Sequence, residues 1–179
     1  CSMNKELLKL AYDLLTKCQS DEGFEKKARL GMGCERIAYK LNDDYVVKIA
    51  KNAFCDYDLD EDEWDDRYDY SEEGQTEEEI HIWEQLTPEE KSLFNPIVAS
   101  GKFDNLPFTV MPMVKIVNGP HDAREVCEKN EINFNFQLLR DIAERFELDF
   151  WDMTSNTSNF GFDKLGNFVI TDFGLAEYY

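Results

Sequence analysis

Lys48 stands in the run Tyr45-Val-Val-Lys-Ile-Ala50, whose β-branched residues predict a strand, fifteen residues after Gly33. A lysine there either snorkels from a sheet edge or points into a cleft, where its ammonium holds phosphate as a point charge. Gly31-Met-Gly33 lies between two predicted strands. Glycines at such a turn leave backbone N–H groups open to phosphate oxygens, although the same turn also serves an ordinary hairpin. Glu79 falls in a predicted helix with Ile82, Trp83 and Leu86 at i+3, i+4 and i+7, so its carboxylate shares the inward-facing stripe. Further on come Asn159 and, after another predicted strand, Asp172-Phe173-Gly174. An amide oxygen and a carboxylate are hard ligands suited to magnesium on a nucleotide.

The elements that must position these residues are legible from periodicity. Residues 4–18 carry Leu7, Leu8, Ala11, Leu14, Leu15 and Cys18 at helical spacing and predict an amphipathic helix. From Phe24 the period changes to two, which predicts a three-stranded antiparallel meander: a first strand from Phe24, a glycine-rich turn at Leu30–Cys34, and strands at Arg36–Leu41 and Tyr45–Ala50 joined by an Asn42–Asp44 turn. Thr76 reads as the N-cap of a helix from Glu77 through Leu86, with Glu79 in the capping-box position. Thr87-Pro88-Glu-Glu90 then restarts a short helical turn with proline first. Two more strands are expected near Ile97–Phe103 and Phe108–Val114, joined by a turn at Asp104–Pro107. Helices follow around Asp122–Lys129 and Phe134–Phe146, and Phe134, Phe136, Phe146, Phe150 and Trp151 read as their core. The expected class is α+β: an N-terminal helix over 1–23, a strand-rich lobe over 24–113 with an acidic insertion at 55–76, and a reduced helical lobe over 114–179.

A chain of 179 residues is long enough for one compact domain or two small lobes without a disulfide or metal staple. Its 38 acids against 19 bases give a net charge of −19, which repels phosphate backbones and anionic lipid. Direct nucleic-acid or membrane-surface binding is therefore not expected. Residues 51–80 hold 14 acids and two bases, a net −12, leaving −7 for the other 149 residues. Counted from Asp56, a calcium loop would need glycine at Glu61 and a bidentate glutamate at Arg67, so the stretch reads instead as a solvated acidic insertion. Phe54, Tyr57, Trp64, Tyr68 and Tyr70 give parts of it the means to dock on a surface. The five scattered cysteines form no CxxC pair, and no apolar run reaches the length of a membrane span. Reduced thiols and a cytoplasmic setting are the expectation. His81 and His121 stand alone and read as surface or satisfied histidines.

Taken in order, these residues resemble the protein-kinase-like fold from about Phe24 to Gly174. Gly31-Met-Gly33-Cys-Glu-Arg-Ile-Ala-Tyr39 is similar to the glycine-rich loop, Val46-Val-Lys48 to the strand bearing the ATP lysine, and Glu79 to its helix partner. Phe108–Val114 resembles the strand leading to the hinge, with Met111 placed against adenine's back pocket, and Asn159 with Asp172-Phe-Gly resembles the magnesium asparagine and DFG motif. The resemblance implies an antiparallel five-stranded N-lobe with an inward-facing helix and a strongly reduced helical C-lobe. It departs from the family in four places. Five residues before Asn159 stands Thr154, whereas Asp152 lies seven before, so either Asp152 serves through a longer loop or the catalytic-base position is vacant. Asn156 is a second candidate for the magnesium asparagine. A third loop glycine is replaced by Arg36, which either contacts phosphate or pairs with the acidic insertion. Only Leu175–Tyr179 follow the DFG, too little for an activation segment.

The resemblance implies ATP and Mg²⁺ as ligands, with Lys48 on the α/β-phosphates, Glu79 orienting Lys48, Gly31, Gly33 and Arg36 at the phosphates, Asn159 and Asp172 on magnesium, and Asp152 orienting an acceptor hydroxyl. Compact kinase-like proteins of phages and bacteria are similar, which implies a cytoplasmic setting, that of the host if phage-encoded. Two other readings stay open: a pseudokinase used as an interaction module, and an acidic inhibitor whose segment 56–73 mimics nucleic acid toward a basic protein partner. The last generates a prediction. Deleting residues 56–73 should leave the fold intact and abolish binding to such a partner, whose association should fall steeply with salt. Unfolding of the deletion variant, seen by circular dichroism, would instead make the aromatics of this stretch core residues.

Overall fold

The computed structural model describes residues 2–32, 36–50 and 73–173; Gly33 and most of the acidic insertion lie outside the described residues. The chain divides into two compact units, 1–80 with 97–112 and 81–96 with 113–179. No helix among the described residues is long and apolar enough to cross a membrane.

In the first unit, α1 (Ser2–Ser20) is followed by α2 (Glu22–Ala28), then β1 (Arg29–Met32), β2 (Arg36–Lys40) and β3 (Tyr45–Ala50). With β4 (Ala99–Phe103) and β5 (Leu106–Pro112) these strands form a five-stranded antiparallel sheet in the order β1-β2-β3-β5-β4. Side chains alternate across a strand, so one face carries Ile37, Tyr39, Val47, Ile49, Phe108 and Val110. That face packs against Leu7, Ala11, Leu15 and Cys18, the apolar stripe of α1. The first helix and the strands β2 and β3 thus follow the sequence reading, whereas Leu30, Gly31 and Met32, expected in the first turn, belong to β1.

Phe24, by contrast, does not open a strand. Asp21 accepts the N–H of Phe24 at 3.0 Å and caps α2, a helix that period-two reading overlooked because its seven residues span only two turns. The helix is held by burial of a charge. Glu25 is fully buried and takes the Arg29 guanidinium on both carboxylate oxygens, at 2.6 and 2.7 Å, while the Tyr39 hydroxyl donates to it at 2.8 Å. Burial first, and then the Glu25 charge, push the neighbouring Cys18 thiol up to about 12. Cys127, buried in the second unit, is pushed up to about 11 by burial, so neither thiol is poised to react.

The helix α3 (Glu73–Gln85) starts earlier than the capping pattern suggested. Thr76 is an interior, fully buried residue and not an N-cap, and residues 73–76 of the acidic stretch are helical. The following turn conforms: α4 (Pro88–Lys91) has Thr87 as N-cap with a complete capping box to Glu90. Asp104 and Asn105 alone make the next turn, with φ of 51° and 66°, and Leu106 and Pro107 already belong to β5.

In the second unit, a three-stranded sheet joins β6 (Lys115–Ile116), β7 (Phe160–Phe162) and β8 (Phe168–Ile170). Gly161 is required there, because a Cβ would collide with the Lys115 carbonyl and come within 2.6 Å of Val114. Around it lie α5 (Ala123–Lys129), α6 (Phe136–Phe146) and α7 (Phe150–Ser155), each capped by the residue before it, Asp122, Asn135 and Asp149. The core is Leu139, Ile142, Met153, Phe160, Phe168 and Phe173 with Ile82, Leu86 and Phe94. Phe134, Phe136, Phe146 and Phe150 only border it, and Trp151 is 74% exposed, contrary to the core assignment from sequence. A six-residue helix has too few turns for its apolar face to be fixed by pattern alone.

Removing one partner of a buried ion pair strands the other. Glu25→Ala is expected to cost about 3–5 kcal/mol and Tyr39→Phe about 1.5–3 kcal/mol in urea unfolding. A Glu25→Ala variant as stable as the wild type would show that Arg29 and Tyr39 find other partners.

Candidate functional site

The first unit sets its chemistry on the sheet face opposite α1. In the antiparallel ladders Arg36 pairs with Ala50, Ala38 with Lys48, Lys48 with Thr109, and Val46 with Met111. Paired residues share a face, so Arg36, Ala38, Val46, Lys48, Ala50, Thr109 and Met111 line one surface. Lys48 is half-buried on the central strand β3, which removes the sheet-edge reading. Ala38 and Thr109 flank it across the two ladders, and a Cβ added at Gly31, opposite Ala38, would meet nothing within 4 Å. Thr109 is fully buried, and its hydroxyl has no hydrogen-bond partner among the described residues.

Glu79 reaches this face from α3 and is 3% exposed. The Arg36 guanidinium forks onto it, Nη1 to Oε2 at 2.5 Å and Nη2 to Oε1 at 2.7 Å. The sequence offered Arg36 to phosphate or to the acidic insertion, whereas here it is the bidentate partner of the inward-facing carboxylate. No spacing rule announces a contact between residues 43 positions apart.

The second unit brings Asp152, Asn159 and Asp172 into one group. Asp152 lies in α7, whose first turn is fixed by Asp149 accepting the Asp152 N–H at 2.9 Å. A single 3-10 turn, Thr157–Asn159, then carries the chain to β7. Asn159 is 7% exposed, and its Nδ2 donates to the Asp152 carbonyl at 3.2 Å and to the Asp152 carboxylate at 3.0 Å. With the amide nitrogen so placed, Oδ1 is left facing the Ser158 hydroxyl at 3.5 Å. Two bonds latch this loop to the chain just past β8: the Thr171 N–H to the Asn159 carbonyl at 2.8 Å and the Thr171 hydroxyl to the Ser158 carbonyl at 3.2 Å. Asp172 follows directly, and the next residue, Phe173, anchors the segment by stacking on Phe94 with ring centroids 4.7 Å apart.

Seven residues from Asp152 to Asn159 thus suffice to close the loop, because α7 takes up the extra length as helix. Thr154, five residues before Asn159, instead donates its hydroxyl to the Phe150 carbonyl at 2.8 Å and is buried. Asn156 accepts from Ser158, N–H at 3.1 Å and hydroxyl at 2.7 Å, which orients its amide oxygen into the turn. Ser158 and Thr171 were not singled out from sequence; a hydroxyl flanking each candidate ligand was the available signal.

Burial holds the Asp152 carboxyl above its ordinary value. The amide of Asn156 pulls it back, the charges of Asp172 and Asp149 push it up again, and Asn159 lowers it. Among the described residues no guanidinium neutralises it. Glu90 shows the contrast: although burial disfavours its charge, bonds from Thr87 and from Arg145, at 2.8 Å, hold it below the ordinary value.

No family model and no curated protein sequence matches the chain. Among solved structures, the crystal structure of monomeric WbdD is similar with a TM-score of 0.35 and 18% identity over 78% of this chain. The chain spans 32% of that protein's length, and a likeness at this score assigns no fold. The architecture itself stands as a mixed α+β chain with a five-stranded antiparallel sheet and several helices.

The raised Asp152 fixes the sign of a stability effect. A carboxyl whose folded value lies above 3.8 contributes stability fully below that pH and loses it as pH rises through the folded value. Ionised Asp152 therefore costs stability at neutral pH. Asp152→Asn is expected to melt above the wild type at about pH 7, with the gap closing below about pH 4. A variant that melts lower at neutral pH would mean that the carboxylate is stabilised by its neighbours.

Proposed function

We propose that this protein is a minimal kinase-like protein that binds ATP with magnesium and transfers the γ-phosphoryl group. The observation that carries the reading is the Asp152–Asn159–Asp172 group. Asn159 commits its N–H bonds to Asp152, and its amide oxygen and the nearby Asp172 carboxylate are hard oxygen donors. That donor set fits a divalent cation of the magnesium type, whose chemistry is to neutralise charge on the phosphates. The order along the chain of glycine turn, strand lysine, helix glutamate, asparagine and DFG supports the kinase-like fold.

In this reading Lys48 holds the α/β-phosphates, Glu79 orients Lys48, Gly31 and Gly33 leave space for phosphate, and Met111 lies behind the adenine. Asp152 orients the acceptor hydroxyl. The acceptor oxygen bonds to the γ-phosphorus as the bond to the bridging oxygen breaks. ADP leaves with that electron pair, and the hydroxyl proton passes to Asp152, whose raised value makes it a better proton acceptor than an ordinary carboxylate. Catalysis rests on positioning and charge neutralisation.

The test is thermal unfolding with ATP, with and without magnesium, followed by labelled ATP to detect transfer. At 100 times Kd, ATP with magnesium should add about 2.7 kcal/mol, and Asp172→Asn should remove most of the magnesium-dependent part. No shift at millimolar nucleotide would falsify the reading. Binding without turnover would leave a nucleotide-binding pseudokinase.

A further inference from the structure

Arg36 is the first residue of β2, and Glu79 lies on α3, 43 positions later. Their side chains are 8% and 4% exposed, and the guanidinium meets both carboxylate oxygens. Such a pair is a poor device for stability alone. Two desolvated charges commonly do no better than an apolar pair of similar volume, so the contact calls for another reason. What a planar fork on a carboxylate does supply is one orientation, with both oxygens and the plane fixed.

That orientation is set on a particular surface. Arg36 pairs across the ladder with Ala50, two residues beyond Lys48, and so projects from the face that carries Lys48, Thr109 and Met111. Glu79 is held to that face by a residue of the sheet itself, and α3 is held with it. The contact joins the strand β2 to the helix that bears the inward carboxylate.

We infer that Arg36 is a positioning residue of the nucleotide site: it acts through Glu79, holding that carboxylate and α3 against the Lys48 face of the sheet. The inference rests on the nucleotide-binding reading above. It assigns Arg36 no direct bond to phosphate, and this separates it from a loop residue that simply adds a positive charge.

A double-mutant cycle tests it, with ATP–magnesium affinity measured by isothermal titration on folded wild type, Arg36→Met, Glu79→Gln and the double variant. Arg36→Met should weaken ATP by about tenfold or more, and in the Glu79→Gln background it should weaken it no further. Arg36→Lys, which keeps the charge without the fork, should fall between wild type and Arg36→Met. Equal losses in both backgrounds would make Arg36 a direct phosphate ligand and overturn the inference. Wild-type affinity in Arg36→Met would make the pair a packing feature and overturn it too. If Arg36→Met does not fold, the apolar pair Arg36→Met/Glu79→Leu carries the test, since matched apolar replacement of a buried pair is tolerated. Unchanged affinity there overturns the inference. A wild type that binds no ATP overturns the nucleotide reading itself, an outcome distinct from binding that the variants leave unaltered.

Discussion

A carboxylate taken out of water must be met by donors, and in a chain with 38 acidic residues that requirement shapes both units. Three glutamates are buried among the described residues, and each meets an arginine: Glu25 with Arg29, Glu79 with Arg36, Glu90 with Arg145. Each pair also joins elements. Glu25 secures α2 and, through Tyr39, β2; Glu79 ties α3 to β2; Glu90 closes a capping box and meets α6. With few bases to distribute, the protein places these three guanidiniums where a helix would otherwise bury an unmatched charge.

Asp152 is treated differently, and the difference marks it. Its partners are amides, from Asn156 and Asn159, while the nearby charges are those of Asp172 and Asp149. Amides satisfy hydrogen-bonding capacity without cancelling charge, so the carboxyl rises while Glu90 falls. Carboxylates kept short of a counter-ion are costly to a fold and useful to a site that receives a cation or a proton. The surrounding latch is correspondingly firm. Thr171 bonds to both Ser158 and Asn159, and Phe173 stacks on Phe94, so the repulsive group sits on backbone that is hydrogen-bonded and packed.

The sheet face of the first unit offers Lys48 opposite Ala38 and Thr109, a buried Thr109 hydroxyl with no hydrogen-bond partner among the described residues, and a carboxylate fixed by Arg36. The opposite face is committed to packing with Leu7, Ala11 and Leu15 of α1, and there the Tyr39 hydroxyl donates to Glu25. One sheet thus separates structural burial from candidate chemistry by the period-two alternation of its strands.

That alternation is why so much was legible from residues alone. The strands β2 and β3, the amphipathic α1 and the Thr87 capping box depend on neighbours within about four residues, the range over which helix and strand periods and caps operate. Short elements escaped for the same reason. In α2 and α7 too few turns fix a face, so Phe24 read as strand and Trp151 as core. Thr76 carried a valid cap signal that lost to an earlier helix start. What the tertiary structure alone decided is pairing at long range. Arg36 meets Glu79 only because the register of β2 and the rotation of α3 bring them together, and Asp152 meets Asn159 only because α7 takes up the intervening residues as helix. A local code specifies which way a side chain leaves its own element; which charge it meets depends on how elements pack.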